Sequence, residues 1–184
     1  MVDRFKHKYR IPSARWQDWD YGANAAYFVT VCTAQMELFF GEIAGGEMIL
    51  SETGRTALDY WQQIPEHFPF VVLDAFVIMP NHVHGIIIID KPDDDVQTPN
   101  LGVSTLGVST TMNTKTKQWY PGTLGVIINQ YKRSCTMYAR RNNIPFAWQT
   151  RFHDRVIRNY DEYNRIAQYI NANIANWQED ELHV

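Results

Sequence analysis

Residues His82 to Ile89 read HVHGIIII. Successive side chains of a strand point to opposite faces, and this segment is apolar on both, so it reads as a strand in the interior of a sheet with neighbours on either side. Met79-Pro80-Asn81 breaks the pattern just before it. A fold for this chain has to supply a sheet around that strand.

The rest of the sequence offers the pieces. Tyr27 to Thr33 (YFVTVCT) is β-branched and aromatic and reads as a first strand. Gly45-Gly46 predicts a hairpin joining Glu42-Ile43-Ala44 to Met48-Ile49-Leu50. A helix is expected from Ser51-Glu52, turning Leu58, Trp61 and Ile64 to the core and stopping at Pro65. Phe70 to Leu73 and, after Asp74, Ala75 to Met79 follow as strand. From Leu124 the apolar residues Leu124, Ile127, Ile128, Tyr131, Cys135 and Tyr138 recur at helical spacing, ending near Asn142-Asn143 and Pro145. Phe146 to Ile157 alternates loosely and supplies a further strand. The last helix begins around Asn159 to Asp161, with Tyr163, Ile166, Ala167, Ile170, Ile174 and Trp177 on one face. Strand, helix, two strands, helix, strand, helix is an α+β order that fits an antiparallel sheet covered by helices, as in ferredoxin-like folds.

With 184 residues, 45% of them hydrophobic, residues 1–184 are expected to form a single domain with one sizeable core. Residues 91 to 118 change character, with KPDDD followed by LGVST written twice, and read as a low-complexity surface insertion. Cys32 and Cys135 lie in apolar stretches without metal-ligand spacing and are expected to be free thiols in a reducing compartment. No secretory signal opens the sequence and no run is long enough to cross a membrane, so a cytoplasmic protein without membrane contact is expected.

The net charge of −3 hides a segregation. Residues 1 to 15 carry +4 and residues 115 to 165 carry +7, around a middle of −11 and before a tail of −3. A localised positive surface of this kind suits an anionic polymer, although uneven charge alone explains it as well.

His82 and His84 stand two apart on the predicted strand, so both imidazoles share a face and can grip one ion, or are two histidines satisfied in a polar patch. Tyr169 and Asn173 stand four apart on the last helix, on the same side and off the apolar stripe. An aromatic there either covers a sheet edge or serves another purpose.

MPNHVHGIII resembles the His-hydrophobic-His motif of the HUH endonuclease superfamily, and QYINAN resembles the Tyr-x-x-x-Gln or Asn motif on the final helix of its single-tyrosine transposases, including the REP-associated tyrosine transposases. YFVTVCT with FGEI, the block HFPFVVLDAFVIMPNHVHGIII and the block WQTRFHDRVIRNYDEYNRIAQYI occur in family order, so the resemblance spans most of the chain. The resemblance implies a ferredoxin-like sheet, a homodimer, and hairpin-flanked or palindromic single-stranded DNA cut and rejoined through a 5′-phosphotyrosine. In that scheme Tyr169 is the nucleophile, and His82, His84 and Asn173 hold Mg²⁺ or Mn²⁺. Lys132, Arg133, Arg140, Arg141, Arg151, Arg155 and Arg158 would track phosphates, and Trp119, Tyr120 and Trp148 would stack on unpaired bases. The protein would then sit on the nucleoid when bound to DNA, with its DNA path along the later half of the chain. Asn173 stands where many relatives carry Gln, and the N-terminal Gly-Thr-Trp signature of the REP-associated branch is absent.

Two rival readings stay open at this point. One is a structured-nucleic-acid binding protein, derived from a transposase, that does not cleave. The other is a metallohydrolase whose nucleophile is a bound hydroxide, which would be indifferent to Tyr169.

Overall fold

The computed structural model describes residues 19–92, 122–180 and 182–183, with the backbone of Arg4–Phe5 and Tyr9–Arg10. The insertion beyond Pro92 and the aromatics Trp119 and Tyr120 lie outside the described residues. Strands β1 (Arg4–Phe5) and β2 (Tyr9–Arg10) pair antiparallel. In chain order there follow β3 (Ala25–Cys32), the hairpin strands β4 (Gly41–Ala44) and β5 (Glu47–Leu50), and helices α1 (Glu52–Gln62) and α2 (Ile64–His67). Then come β6 (Val71–Ile78), β7 (His82–Ile89), α3 (Leu124–Arg141), β8 (His153–Ile157) and α4 (Tyr160–Ala172).

Strand β7 is interior, as its isoleucines require. The sheet runs β6-β7-β3-β8 with every neighbour antiparallel. The connections β3-α1-β6 and β7-α3-β8 interleave, each joining two strands that flank a third, which is the ferredoxin-like arrangement. Alternation then sorts the side chains. Tyr27, Val29 and Val31 of β3 and Val83, Ile87 and Ile89 of β7 join Trp61 of α1 and Leu124, Ile127, Ile128 and Tyr131 of α3 in one buried cluster. The opposite face carries Phe28, Thr30 and Cys32 beside Ile86, His84 and His82, and α4 covers it.

The fit between sheet and α1 is close at Gly85, where a Cβ would stand 2.4 Å from Trp61 Cζ2. Trp61 is fully buried there, and its removal from a core of this kind costs about 3–5 kcal/mol. Helix α1 begins where Ser51 Oγ accepts from the Gly54 N–H, and α4 begins where Asn159 Oδ1 accepts from the Glu162 N–H. Gly45 and Gly46, at φ +63° and +81°, make the two-residue turn of the β4-β5 hairpin.

Five local expectations differ from the structure, the first being that the last helix ends at Ala172, so that Ile174 and Trp177 lie beyond it. Pro65 does not end α1; the helix ends at Gln62 and Pro65 sits in the first turn of α2, where its missing N–H is not needed. The stretch around Asp74 is one strand with an extra residue between Leu73 and Phe76, a bulge rather than a break, and Asp74 Oδ1 there accepts from the Ala75 N–H. Tyr138 is half-buried and donates to Glu52 Oε1, while Ala139 takes the buried position on α3. Of Phe146 to Ile157 only His153–Ile157 is strand, apart from a single bridge between Trp148 and Thr33. Cys32 and Cys135 are free and buried, and among the described residues no helix is long and apolar enough to cross a membrane.

Candidate active site

His82 and His84 project from β7 beneath α4, opposite Cys32 and Thr30 of β3. Both rings are buried, with centroids 4.4 Å apart. The partners of His82 fix its tautomer. Asn81 Nδ2 donates to the Leu182 carbonyl at 2.8 Å, so Asn81 Oδ1 faces His82 and accepts from its Nδ1–H at 2.8 Å. His82 Nε2 is therefore a bare lone pair, buried and without a hydrogen-bond partner. His84 Nδ1 lies 2.9 Å from Thr30 Oγ1, and its Nε2 faces the Tyr169 hydroxyl at 3.1 Å.

Tyr169 lies on α4, exposed at its outer side, with its ring edge-on to Phe28 and to His84. Asn173 caps the C-terminus of α4 and is buried. The chain then turns through Trp177–Glu179, which lays Trp177 against His82, and Asp180 reaches back into the site. Asp180 Oδ2 accepts from Asn173 Nδ2 at 3.0 Å and from the Tyr169 hydroxyl at 3.4 Å, and Asp180 Oδ1 accepts from the Leu182 N–H at 2.7 Å.

His82, His84 and Asp180 can each offer one ligand atom, all within 4.8 Å of one another. Asn173 Oδ1, on the residue whose Nδ2 donates to Asp180, is a further buried oxygen without a hydrogen-bond partner. The orphaned His82 Nε2 is the direct sign that a cation fits here, because a buried lone pair left unpaired is otherwise costly. Burial pushes the His84 pKa down to about 4, and burial with the neighbouring imidazole pushes His82 down as well. Both rings are thus neutral near pH 7, the form that binds metal. Two imidazole nitrogens with carboxylate and amide oxygens suit a divalent ion of intermediate hardness.

Four residues singled out in the sequence, His82, His84, Tyr169 and Asn173, therefore meet in one place. The basic residues are dispersed. Arg133, Arg140 and Arg141 are exposed on α3, the helix on the other face of the sheet. Lys132 donates to the Gln149 carbonyl and lies over the Trp148 ring, and burial lowers its pKa to about 8. Trp148 packs against Phe40, Tyr131 and Phe146, with its Nε1–H donated to the Lys132 carbonyl. Arg151, Arg155 and Arg158 are exposed around β8, and Arg155 shares the Tyr169 face, opposite Phe28. Asp180, Asn81 and Thr30 escaped the sequence reading. Asn81 adjoins the His pair and Thr30 lies in a strand, but Asp180 is one acid in an acidic tail with no diagnostic spacing.

No protein-family model matches the chain. An uncharacterized protein of Haemophilus influenzae is 34% identical over 175 residues, which cover 94% of this chain and 92% of that protein. The solved structure of a REP-associated tyrosine transposase bound to a REP hairpin superposes with a TM-score of 0.56 at 15% identity, over 89% of this chain and 74% of that one. The fold is thus that of a REP-associated tyrosine transposase, and the chain belongs to one family with the Haemophilus influenzae protein.

Proposed function

We propose that this protein is a divalent-metal-dependent single-strand DNA endonuclease and strand transferase that cuts hairpin-flanked DNA and rejoins it. The observation that carries the reading is the Tyr169 hydroxyl, brought onto His84 Nε2 and Asp180 Oδ2 at the edge of a His-His-Asp cluster. A tyrosine needed only to cover the sheet would not require its oxygen at that point.

His82, His84 and Asp180 would hold the ion, and Asn173 Oδ1 would join them. When bound, a divalent cation supplies charge to offset the phosphodiester anion and to orient it for in-line displacement. Mg²⁺ and Mn²⁺ are the candidates, and the imidazole pair favours Mn²⁺. Tyr169 Oη attacks phosphorus, and the bond to the departing 3′ oxygen breaks as the new O–P bond forms. The products are a 5′-phosphotyrosine and a 3′ oxygen that takes a proton from water to become a free hydroxyl. The Tyr169 proton has Asp180 Oδ2 as a carboxylate acceptor within reach. Because one phosphodiester replaces another, a 3′ hydroxyl can reverse the step and join a new end without ATP. Asn81 and Thr30 hold the two imidazoles in orientation while this happens.

Lys132, Arg133, Arg140, Arg141, Arg151, Arg155 and Arg158 would supply sequence-independent phosphate contacts. The solved neighbour is bound to a REP hairpin, which supports hairpin DNA as the substrate class here. A homodimer in the cytoplasm, associated with the nucleoid through its DNA, completes the proposal. The test is covalent capture: with Mn²⁺, a labelled hairpin-flanked strand should migrate with the denatured protein. Salt-sensitive binding without any adduct across a hairpin library would favour the non-cleaving module instead.

A further inference from the structure

A pocket of about 260 Å³ opens beside Tyr169, lined by Arg155, Glu162, Arg165, Ile166 and Tyr169. Four of the five belong to α4 and stand at spacings of three and four, so they form one stripe that ends at the tyrosine. Arg155 enters from β8, on the sheet face that α4 covers.

Glu162 is the unusual member. It is 5% exposed, yet it is a carboxylate on a helix that covers a sheet. Its Oε2 accepts from the Arg158 N–H at 2.9 Å, and its Oε1 pairs with Arg155 Nη2 at 2.5 Å. The Arg158 N–H bond and the neighbouring arginines hold its pKa below the ordinary carboxylate range, so it is charged. The Arg155 side chain, by contrast, is 67% exposed. A buried carboxylate grips one edge of an otherwise open guanidinium, whose remaining N–H donors keep a fixed direction. A pair serving stability alone would gain little from so exposed an arginine. Arg165 brings a second guanidinium to the same pocket, four residues and about 6 Å along the helix axis from Tyr169. That is comparable to the step between successive phosphates of an extended strand.

We infer that this pocket is a phosphate-binding subsite of the nucleic-acid strand, in which Arg155 and Arg165 hold the phosphate next to the scissile one and Glu162 positions Arg155. The inference rests on the reading of Tyr169 as the nucleophile, and it adds a contact that fixes the register of the strand on the nucleophile. Two guanidiniums against one carboxylate leave the pocket cationic, which suits an anion. Five side chains from one helix and one strand make a site for a single nucleotide, not for a duplex.

The experiment is a substitution scan read by binding. A hairpin-flanked oligonucleotide with an unpaired arm carries a neutral methylphosphonate at one position at a time, and its affinity for the full chain is measured by fluorescence anisotropy in EDTA. One position should weaken binding to the unsubstituted protein about tenfold. The same position should cost less in Arg155→Ala or Arg165→Ala and nothing further in the double variant, and the salt slope of either single variant should be shallower by about 0.7. Glu162→Gln should weaken the same position partially, and circular dichroism checks that this buried variant is folded; the two arginine variants carry the conclusion if it is not. Equal losses at every position in all proteins would overturn the subsite, as would failure to bind unpaired strand at all. Covalent capture with Mn²⁺ is scored separately on the same oligonucleotides. No adduct with the unsubstituted protein would defeat the transposase reading while leaving the binding scan to be read by itself.

Discussion

The hydroxyl of Tyr169 lies 3.1 Å from Nε2 of His84, across 85 residues of chain. The register of β7 against β3 sets His84 opposite Thr30, and α4 crosses that face so that one turn of helix reaches the ring. Phe28 meets both rings, 5.2 Å from His84 and 6.2 Å from Tyr169 by centroid, and keeps the two from drifting apart. Tyr169 and His84 are thus held by an apolar contact as well as a polar one.

Tyr169→Phe retains that ring packing and removes only the oxygen. The adduct on denaturing gels should disappear, hairpin affinity should stay within about twofold, and stability should change by less than about 1 kcal/mol. A persisting adduct would move the nucleophile elsewhere, and activity without any adduct would point to a bound hydroxide.

Asp180→Asn keeps the size of the side chain and removes its charge. Mn²⁺ affinity, measured by calorimetry or electron paramagnetic resonance, should fall about 10- to 100-fold, with hairpin binding in EDTA unchanged. Asn81→Ala should produce a loss of the same order through His82, because the acceptor that fixes its tautomer is gone. Unchanged Mn²⁺ affinity in Asp180→Asn would remove the carboxylate from the candidate metal site.

Acid should destabilise the metal-free protein early. His84 titrates near 4 when folded and near its ordinary 6.5 when unfolded, so the unfolded chain binds the extra proton between those values. Its contribution is intact above pH 6.5 and is lost as pH falls toward 4. His82, shifted the same way, adds to the loss. Urea titrations from pH 7.5 to 4.5 should show stability falling below 6.5, with a shallower fall in His84→Gln. An unaltered slope in that variant would assign the acid sensitivity to other groups.

Gly85→Val should destabilise the fold without touching the site residues. Its side chain would meet Trp61 on the α1 side of the sheet, and overpacking of a tight core costs about 1–3 kcal/mol. The urea midpoint checks this, and an unchanged midpoint would show that Trp61 yields.

The ferredoxin-like order was legible because β7 had to be interior and because α3 and α4 carry clear apolar stripes. His82 and His84 were legible from strand alternation, and Tyr169 and Asn173 from helical spacing. Asp180 was not, since it enters through a turn after α4 and its role depends on where that turn lands. Pro65 and Asp74 misled for a related reason: a proline fits the first turn of a new helix, and a bulge absorbs an extra residue inside a strand. Tyr138 lay on the apolar stripe of α3, but its hydroxyl found Glu52, and a smaller residue took the core.

The two faces of the sheet differ in how firmly they are closed. The face under α1 and α3 holds the main buried cluster, whereas α4 itself buries only Glu162 and Ile170. A helix with so few buried side chains is expected to open while the sheet and its other layer remain folded. In native-state hydrogen exchange the amides of α4 should lose protection at lower free energy than those of β3 and β7, which would put Tyr169 on the part of the molecule that opens first.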